Sequence, residues 1–385
     1  MMRQWEEVTL DEIADLTVGF VGKTTTHYVN EGIRFIRSMN VEPFKINYND
    51  PKFINQEFHN KIKKSELNTG DVVIVRTGKP GACAVIPQKL EKWNCSDLVI
   101  VRPKHKYVNS TYLAAFINLA YGVISTHLVG AVQQHFNVEV AKQMKIKLPP
   151  IDIQNKVGSF IDNINIKIEN NKAINENLEQ QAQTLYQHMF IENPSSEWEE
   201  GTLSDIADIT MGQSPCGSSY NENGEGTIFF QGRAEFGFRF PSIRLYTTEP
   251  KRMARANDVL MSVRAPVGDL NVAHTDCCIG RGLAAIHSRA GHQSFVLYTM
   301  FALRDQLNVF NGEGTVFGSI NRNSLNDMPI AIPSPDSISA FEDIVTPIDA
   351  AIRNNYDEIC SLTQLRDTLL PKLMSGEIDV STLEI

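Results

Sequence analysis

The sequence predicts an α+β chain. Two globular domains stand in tandem repeat, separated by two long antiparallel helices packed as a coiled coil, which gives pseudo-twofold symmetry within one chain. Three observations predict this arrangement. A box recurs, WEEVTLDEIADLTVG at residues 5–19 and WEEGTLSDIADITMG at 198–212, with ten identities in fifteen positions at an offset of 193. Each copy closes on an alternating strand that runs into proline, KIKLPP at 145–150 and PIAIPSP at 329–335. A long heptad-patterned segment follows each of these prolines.

The copies stay parallel between those landmarks. TGDVVIVRTGKPG (69–81) matches ANDVLMSVRAPVG (256–268), each a turn at Gly70 or Asn257 followed by an apolar strand and then an arginine, Arg76 or Arg264. GAVQQHFN (130–137) matches GTVFGSIN (314–321) at an offset of 184, so the first copy holds nine more residues within its globular part. The resulting segments are a first domain at 1–150, a first helix at 151–192, a second domain at 193–333, a second helix at 334–376 and a tail at 377–385.

On the first helix, Val157, Ile161, Ile164, Ile168, Leu178, Ala182, Leu185 and Met189 take a and d positions of a heptad, with Asn171 and Asn175 on the same seam. On the second, Phe341, Val345, Ile348, Ile352, Ile359, Leu362, Leu369 and Leu373 do so, with Asn355 and Arg366 among them. Asn355 stands at the repeat position of Asn171. A buried amide pair that fixes register is expected there, the alternative being that each helix packs only on its own domain. A helix of about 40 residues rises about 60 Å, which suits a spacer.

With 385 residues, 42% of them apolar and 21% charged, the chain has enough apolar surface for two cores. Neither a secretory leader nor an apolar run long enough for a membrane span is visible, so a cytoplasmic protein without a membrane partner is expected. Cys83, Cys95, Cys216, Cys277, Cys278 and Cys360 lack CxxC spacing and read as reduced, mostly buried thiols. The net charge of -9 opposes nucleic-acid binding until its distribution is examined. Residues 1–150 hold 19 basic and 14 acidic side chains, 151–192 hold 3 and 6, 193–333 hold 11 and 15, and 334–385 hold 3 and 10. Acidity is therefore concentrated at the C-terminal end.

Catalytic motifs fail on inspection. GFVGKTTT (19–26) imitates the end of a phosphate-binding loop, but its first glycine would have to be Thr17, and HYVNEG follows in place of an amphipathic helix. NDPKF (49–53) only resembles a methyltransferase motif, and His105, His127 and His135 show no metal-ligand spacing. A non-catalytic chain with no metal and no cofactor of its own is expected. Reading DNA calls for Arg or Lys toward guanine, Asn or Gln toward adenine, and cations toward phosphates. Loop-like stretches supply Lys23, Thr24, Thr25, Arg34, Arg37, Arg76, Lys79, Gln133, Gln134, His135 and Asn137 in the first copy. The second supplies Gln231, Arg233, Arg239, Arg264, Arg281, Asn321 and Arg322.

A W-x-x-x-x-L-x-[DE]-I-A-[DE] box, a GDVLIS-x-R-like strand, a proline-ended strand and a long helix, all present twice, resemble the specificity subunits of type I restriction-modification enzymes. The tail LRDTLLPKLMSGEIDV (365–380) is similar to theirs, and the likeness spans about residues 4–380. It implies that each globular domain is a target-recognition domain reading one half of a bipartite, asymmetric double-stranded DNA target. It also implies helices that set the unread gap and dock two methyltransferase subunits. Motor-nuclease subunits complete the implied assembly, with S-adenosylmethionine, ATP and Mg bound by partners. Two features depart from the pattern, the helix end QTLYQHMFIENP and the net acidity of the second domain. Three other readings stay open: a specificity subunit of a fused methyltransferase-nuclease system, a structural adaptor that binds proteins, and a nucleotide enzyme using Lys23 and Thr24.

Overall fold

The computed structural model describes residues 5–127, 136–312 and 318–380. The chain forms two compact units, one of residues 1–171 with 357–385, the other of residues 172–356. These units cut across the segments read from sequence, because each takes part of both long helices, Ile151–Tyr186 (α1) and Pro335–Ser375 (α2). Among the described residues, no helix is long and apolar enough to cross a membrane.

In the first unit, a four-stranded antiparallel sheet runs Cys83–Val85, Val72–Val75, Leu98–Pro103, Ala14–Val18. A five-stranded sheet runs Tyr28–Val29, Phe53–Ile54, Ile33–Ile36, Trp93–Cys95, Glu66–Leu67, with one parallel pair in which Cys95 faces Ile36. The box strand Glu6–Thr9 pairs with Lys145–Leu148. Alternate residues of Val72–Val75 serve two cores. Val72 and Ile74 pack with Leu10, Ile13, Val99 and Val101, while Val73 and Val75 pack with Ile36, Trp93 and Ile100.

The second unit repeats this order strand for strand. Its four-stranded sheet runs Leu270–Val272, Val259–Ser262, Leu283–Ser288, Ala207–Met211, and its five-stranded sheet runs Tyr220–Asn221, Leu245–Thr247, Thr227–Phe230, Cys277–Ile279, Met253–Ala254. Glu199–Thr202 pairs with Pro329–Ile332.

Local chemistry explains why the repeated residues recur. Thr9 and Thr202 each open a helical turn whose third residue folds back on them: Glu12 accepts from the Thr9 backbone N–H at 2.6 Å, and Asp205 from that of Thr202 at 2.7 Å. Leu10 and Leu203, next in each box, are fully buried. Gly70 (φ 86°) and Asn257 (φ 73°) both adopt the left-handed conformation that their turn requires. The aspartates that follow tie the turn down, Asp71 accepting from the backbone of Asn68 and Asp258 from that of Arg255, both at 2.8 Å.

Within each unit the segments of α1 and α2 pair antiparallel. In the first unit, Val157 and Ile161 pack with Leu370, Leu373 and Met374, and Asn165 accepts from Arg366 at 2.9 Å. Ile164, Ile168 and Asn171 are buried, Leu362 and Leu369 half-buried. In the second, Ala182 and Tyr186 share a core with Phe341, Val345 and Ile352, against which Leu178, Leu185 and Ile348 pack.

The expected pairing of Asn171 with Asn355 is not found. Asn171 donates to Glu358 at 2.7 Å, and Asn355 to Asn175 at 2.8 Å. In an antiparallel pair, equivalent positions of a repeat meet only at the midpoint, and both asparagines lie off it. The helix α1 passes into a π-helical turn at Gln187–Glu192, whereas α2 stays α-helical through Pro371, at the matching place, to Ser375. All six cysteines are free, with Cys83, Cys95, Cys277 and Cys278 buried and Cys216 and Cys360 exposed.

Candidate nucleic-acid interface

In each unit, several loops converge where strands of the two sheets end together. In the second unit the convergence is held by backbone hydrogen bonds: Gly280 N–H to Phe230 O (2.8 Å), Gln213 N–H to Ile279 O (3.0 Å), Val263 N–H to Gly282 O (3.0 Å) and Ile320 N–H to Val263 O (3.1 Å). The approach is close enough to demand glycine. A Cβ on Gly212 would collide with the Gly280 carbonyl, and one on Gly280 would lie 2.8 Å from the Gln231 oxygen. These contacts bring Gln231, Arg264, Arg281, Asn321 and Arg322 into neighbouring loops. Gln231 and the three arginines are exposed, and no ion pair ties the three arginines among the described residues.

Other expected DNA contacts of this unit are spent within it. Arg233 is ion-paired with Asp269. Arg239 is only 4% exposed and bonds Glu179 at 3.3 Å on α1, Asp349 at 3.1 Å on α2 and the Tyr298 hydroxyl at 3.1 Å. Burial acts to lower the Arg239 guanidinium, but Tyr298, Asp349 and Glu179 outweigh it and hold the group above its ordinary value. The same burial raises the Glu179 carboxyl, because lost hydration exceeds the attraction of Arg239. A guanidinium shut behind two carboxylates is a structural brace, so the expectation of a DNA contact at Arg239 is corrected.

In the first unit the corresponding loops meet around Asp97 (φ 51°), a left-handed position that aspartate tolerates. Its N–H donates to Phe20 O (3.1 Å), and its carbonyl accepts from the Ser38 hydroxyl (3.4 Å). Its carboxylate accepts from Arg76 Nη1 (2.7 Å) and Thr77 Oγ1 (2.8 Å), while Phe136 N–H donates to Arg76 O (3.1 Å). The corresponding turn of the second unit, between Ile279 and Leu283, is Gly280-Arg281-Gly282, one residue longer than Ser96-Asp97 and without a left-handed residue, so one copy carries a carboxylate in this turn and the other a guanidinium.

Arg76 and Arg264 are also not equivalents. Phe136 bonds Arg76 where Ile320 bonds Val263, which leaves Arg264 one residue further out.

Several first-copy candidates also serve the fold. Arg34 lies 5.4 Å from the ring centres of Tyr48 and Phe53 and 5.7 Å from that of Trp93. Arg37 bonds Asn40 at 3.2 Å and the Asp50 carboxylate at 3.1 Å. Thr24 bonds the Tyr28 hydroxyl at 2.8 Å. Asn137 and Asn321 do the same work in the two copies, each capping a short helix by accepting from Val140 or Ser324 at 2.9 Å. Lys23, Thr25 and Lys79 are exposed, whereas Gln133, Gln134 and His135 lie outside the described residues. Sequence reasoning passed over Asp97 because it sought cations and amides. A signal was present in the alignment of its turn with Gly280-Arg281-Gly282.

Residues 2–180 match the family described as Type I restriction modification DNA specificity domain. The chain is 28% identical over 409 aligned residues to the MjaX type I restriction enzyme specificity-subunit relative from Methanocaldococcus jannaschii, covering 98% of this chain and 94% of the relative. The MjaIX specificity subunit of the same organism is 24% identical over 278 residues, covering 63% and 62%. A crystal structure of a type I restriction-modification system S subunit from M. genitalium shares the fold, with a TM-score of 0.58 at 14% identity over 96% of each chain. Together with the doubled box and the doubled sheet order, these matches make the chain similar, over nearly its whole length, to type I restriction-modification DNA specificity subunits.

Proposed function

We propose that each globular part reads one half of a bipartite, asymmetric DNA target, that α1 and α2 set the unread gap, and that the helices dock two methyltransferase subunits. The observation that carries this reading is the convergence of loops in each unit, built on the same strand order and unlike in side chain. Around one common scaffold, the copies present Asp97 or the Arg264-Arg281-Arg322 set, which suits recognition of different base sequences. Partners supply the chemistry: methyltransferase subunits bind S-adenosylmethionine, and motor-nuclease subunits bind ATP and Mg. The complex works in the cytoplasm.

Two experiments test the reading. Coexpression with the methyltransferase subunits of its own system, followed by genome-wide mapping of methylated bases, is expected to give a split motif with a constant gap. Removing one heptad from both helices should change that gap and leave both half-sites intact. An altered half-site would refute the spacer role, and a continuous motif would mean that only one unit reads DNA.

A further inference from the structure

We infer that Asp97 is a specificity-determining residue: its carboxylate accepts a hydrogen bond from the exocyclic amino group of a cytosine in the half-site read by the first unit. The inference rests on the reading that this unit contacts DNA through its converging loops.

Four features support it. Asp97 lies where those loops meet, touching Phe20, Ser38, Arg76 and Thr77 through its backbone or side chain. Its side chain is 39% exposed against 17% for Arg76, so the pair presents its acceptor outward and holds its cation behind. One donor fixes each carboxylate oxygen, at 2.7 and 2.8 Å, which orients the group and leaves acceptor capacity on both oxygens. A carboxylate on a DNA-facing surface is repelled by phosphates and adds nothing to general affinity, so its use there is selection between bases.

The chemistry favours cytosine. In the major groove the cytosine amine is a donor with no acceptor on its own base edge, whereas the adenine amine adjoins N7, an acceptor that repels a carboxylate. Arg76 is then a positioning residue acting through Asp97.

The test maps the methylated motif of the complex with its methyltransferase subunits, for Asp97→Ala and Asp97→Asn beside the unaltered chain. With Asp97→Ala, one C·G pair of one half-site is expected to become degenerate, with methylation at the altered sites rising about tenfold and the other half-site unchanged. Asp97→Asn keeps the shape. With its oxygen facing Arg76 and its amide nitrogen facing Thr77, it offers a donor outward, so the same position should shift away from cytosine rather than merely relax.

An unchanged motif with either variant in an assembled complex overturns the inference. If Asp97→Ala fails to assemble, the near-isosteric Asp97→Asn decides alone. Exchange of residues 20–150 for those of another specificity subunit separates the two levels. A changed half-site there, with no effect of Asp97, sinks only the role of Asp97; no change in either half-site sinks the DNA-reading role of the unit as well.

Discussion

Asn355 donates a 2.8 Å hydrogen bond to the side-chain oxygen of Asn175, not to Asn171, its counterpart in the repeat. Asn175 in turn donates to the Ile352 carbonyl at 3.1 Å. A register slip would leave these amides unpaired in an apolar seam, which is how a polar pair specifies alignment. Asn175→Leu and Asn355→Leu should each cost about 1–2 kcal/mol. The double variant should cost less than their sum, because neither amide is then left alone. A double-mutant cycle in urea reads the coupling, and strict additivity would mean that the bond contributes nothing.

The buried Arg239 should behave as a brace. Arg239→Met leaves Glu179 and Asp349 without their cation, and a loss of about 3 kcal/mol or more is expected. Arg239→Met combined with Glu179→Leu and Asp349→Leu should recover much of that loss. Chemical denaturation checks both, and Arg264→Ala, at an exposed site, should change stability by less than about 0.5 kcal/mol.

Arg264, Arg281 and Arg322 should govern binding to DNA, not folding. Each change to alanine is expected to weaken binding by the assembled complex and to reduce the slope of log K against log salt by about 1 wherever a phosphate contact is lost. Salt titrations of the triple variant should therefore show a shallower line. An unchanged slope would remove these residues from the phosphate-contacting set.

Acid should release the capping boxes. Backbone hydrogen bonds from Thr9 and Thr202 hold the Glu12 and Asp205 carboxyls below their ordinary values. A carboxyl depressed in the folded state contributes stability above its unfolded pKa and loses it as pH falls through the folded one. The melting-temperature gap between the unaltered chain and Glu12→Gln with Asp205→Asn should thus be widest near neutrality. It should close as pH falls below the ordinary carboxylate range, and a gap independent of pH would contradict this role.

Thiol labelling should sort the cysteines. Cys216 and Cys360 are exposed, and Cys216 is lowered by hydrogen bonds from Ser218, so both should react in the folded protein, Cys216 first. Burial pushes Cys277 up to about 12 and raises Cys83 and Cys95 as well, so these three should label only on unfolding.

By itself the sequence determined the repeat, the α+β class and the two long helices, since these rest on periodicity and local chemistry that each segment holds alone. The Thr9–Glu12 and Thr202–Asp205 boxes, the left-handed turns at Gly70 and Asn257, and the apolar seam of α1 and α2 all fall in this class. Only the tertiary structure decided which polar groups are available. Arg37, Arg76, Arg233 and Arg239 find carboxylates 13, 21, 36 and 110 residues away in the chain, and composition says nothing of such pairings. The helix register was hidden for the same reason. A repeat specifies equivalent positions, but which of them meet across an antiparallel pair depends on how the whole seam packs, so Asn355 meets Asn175 and Asn171 meets Glu358.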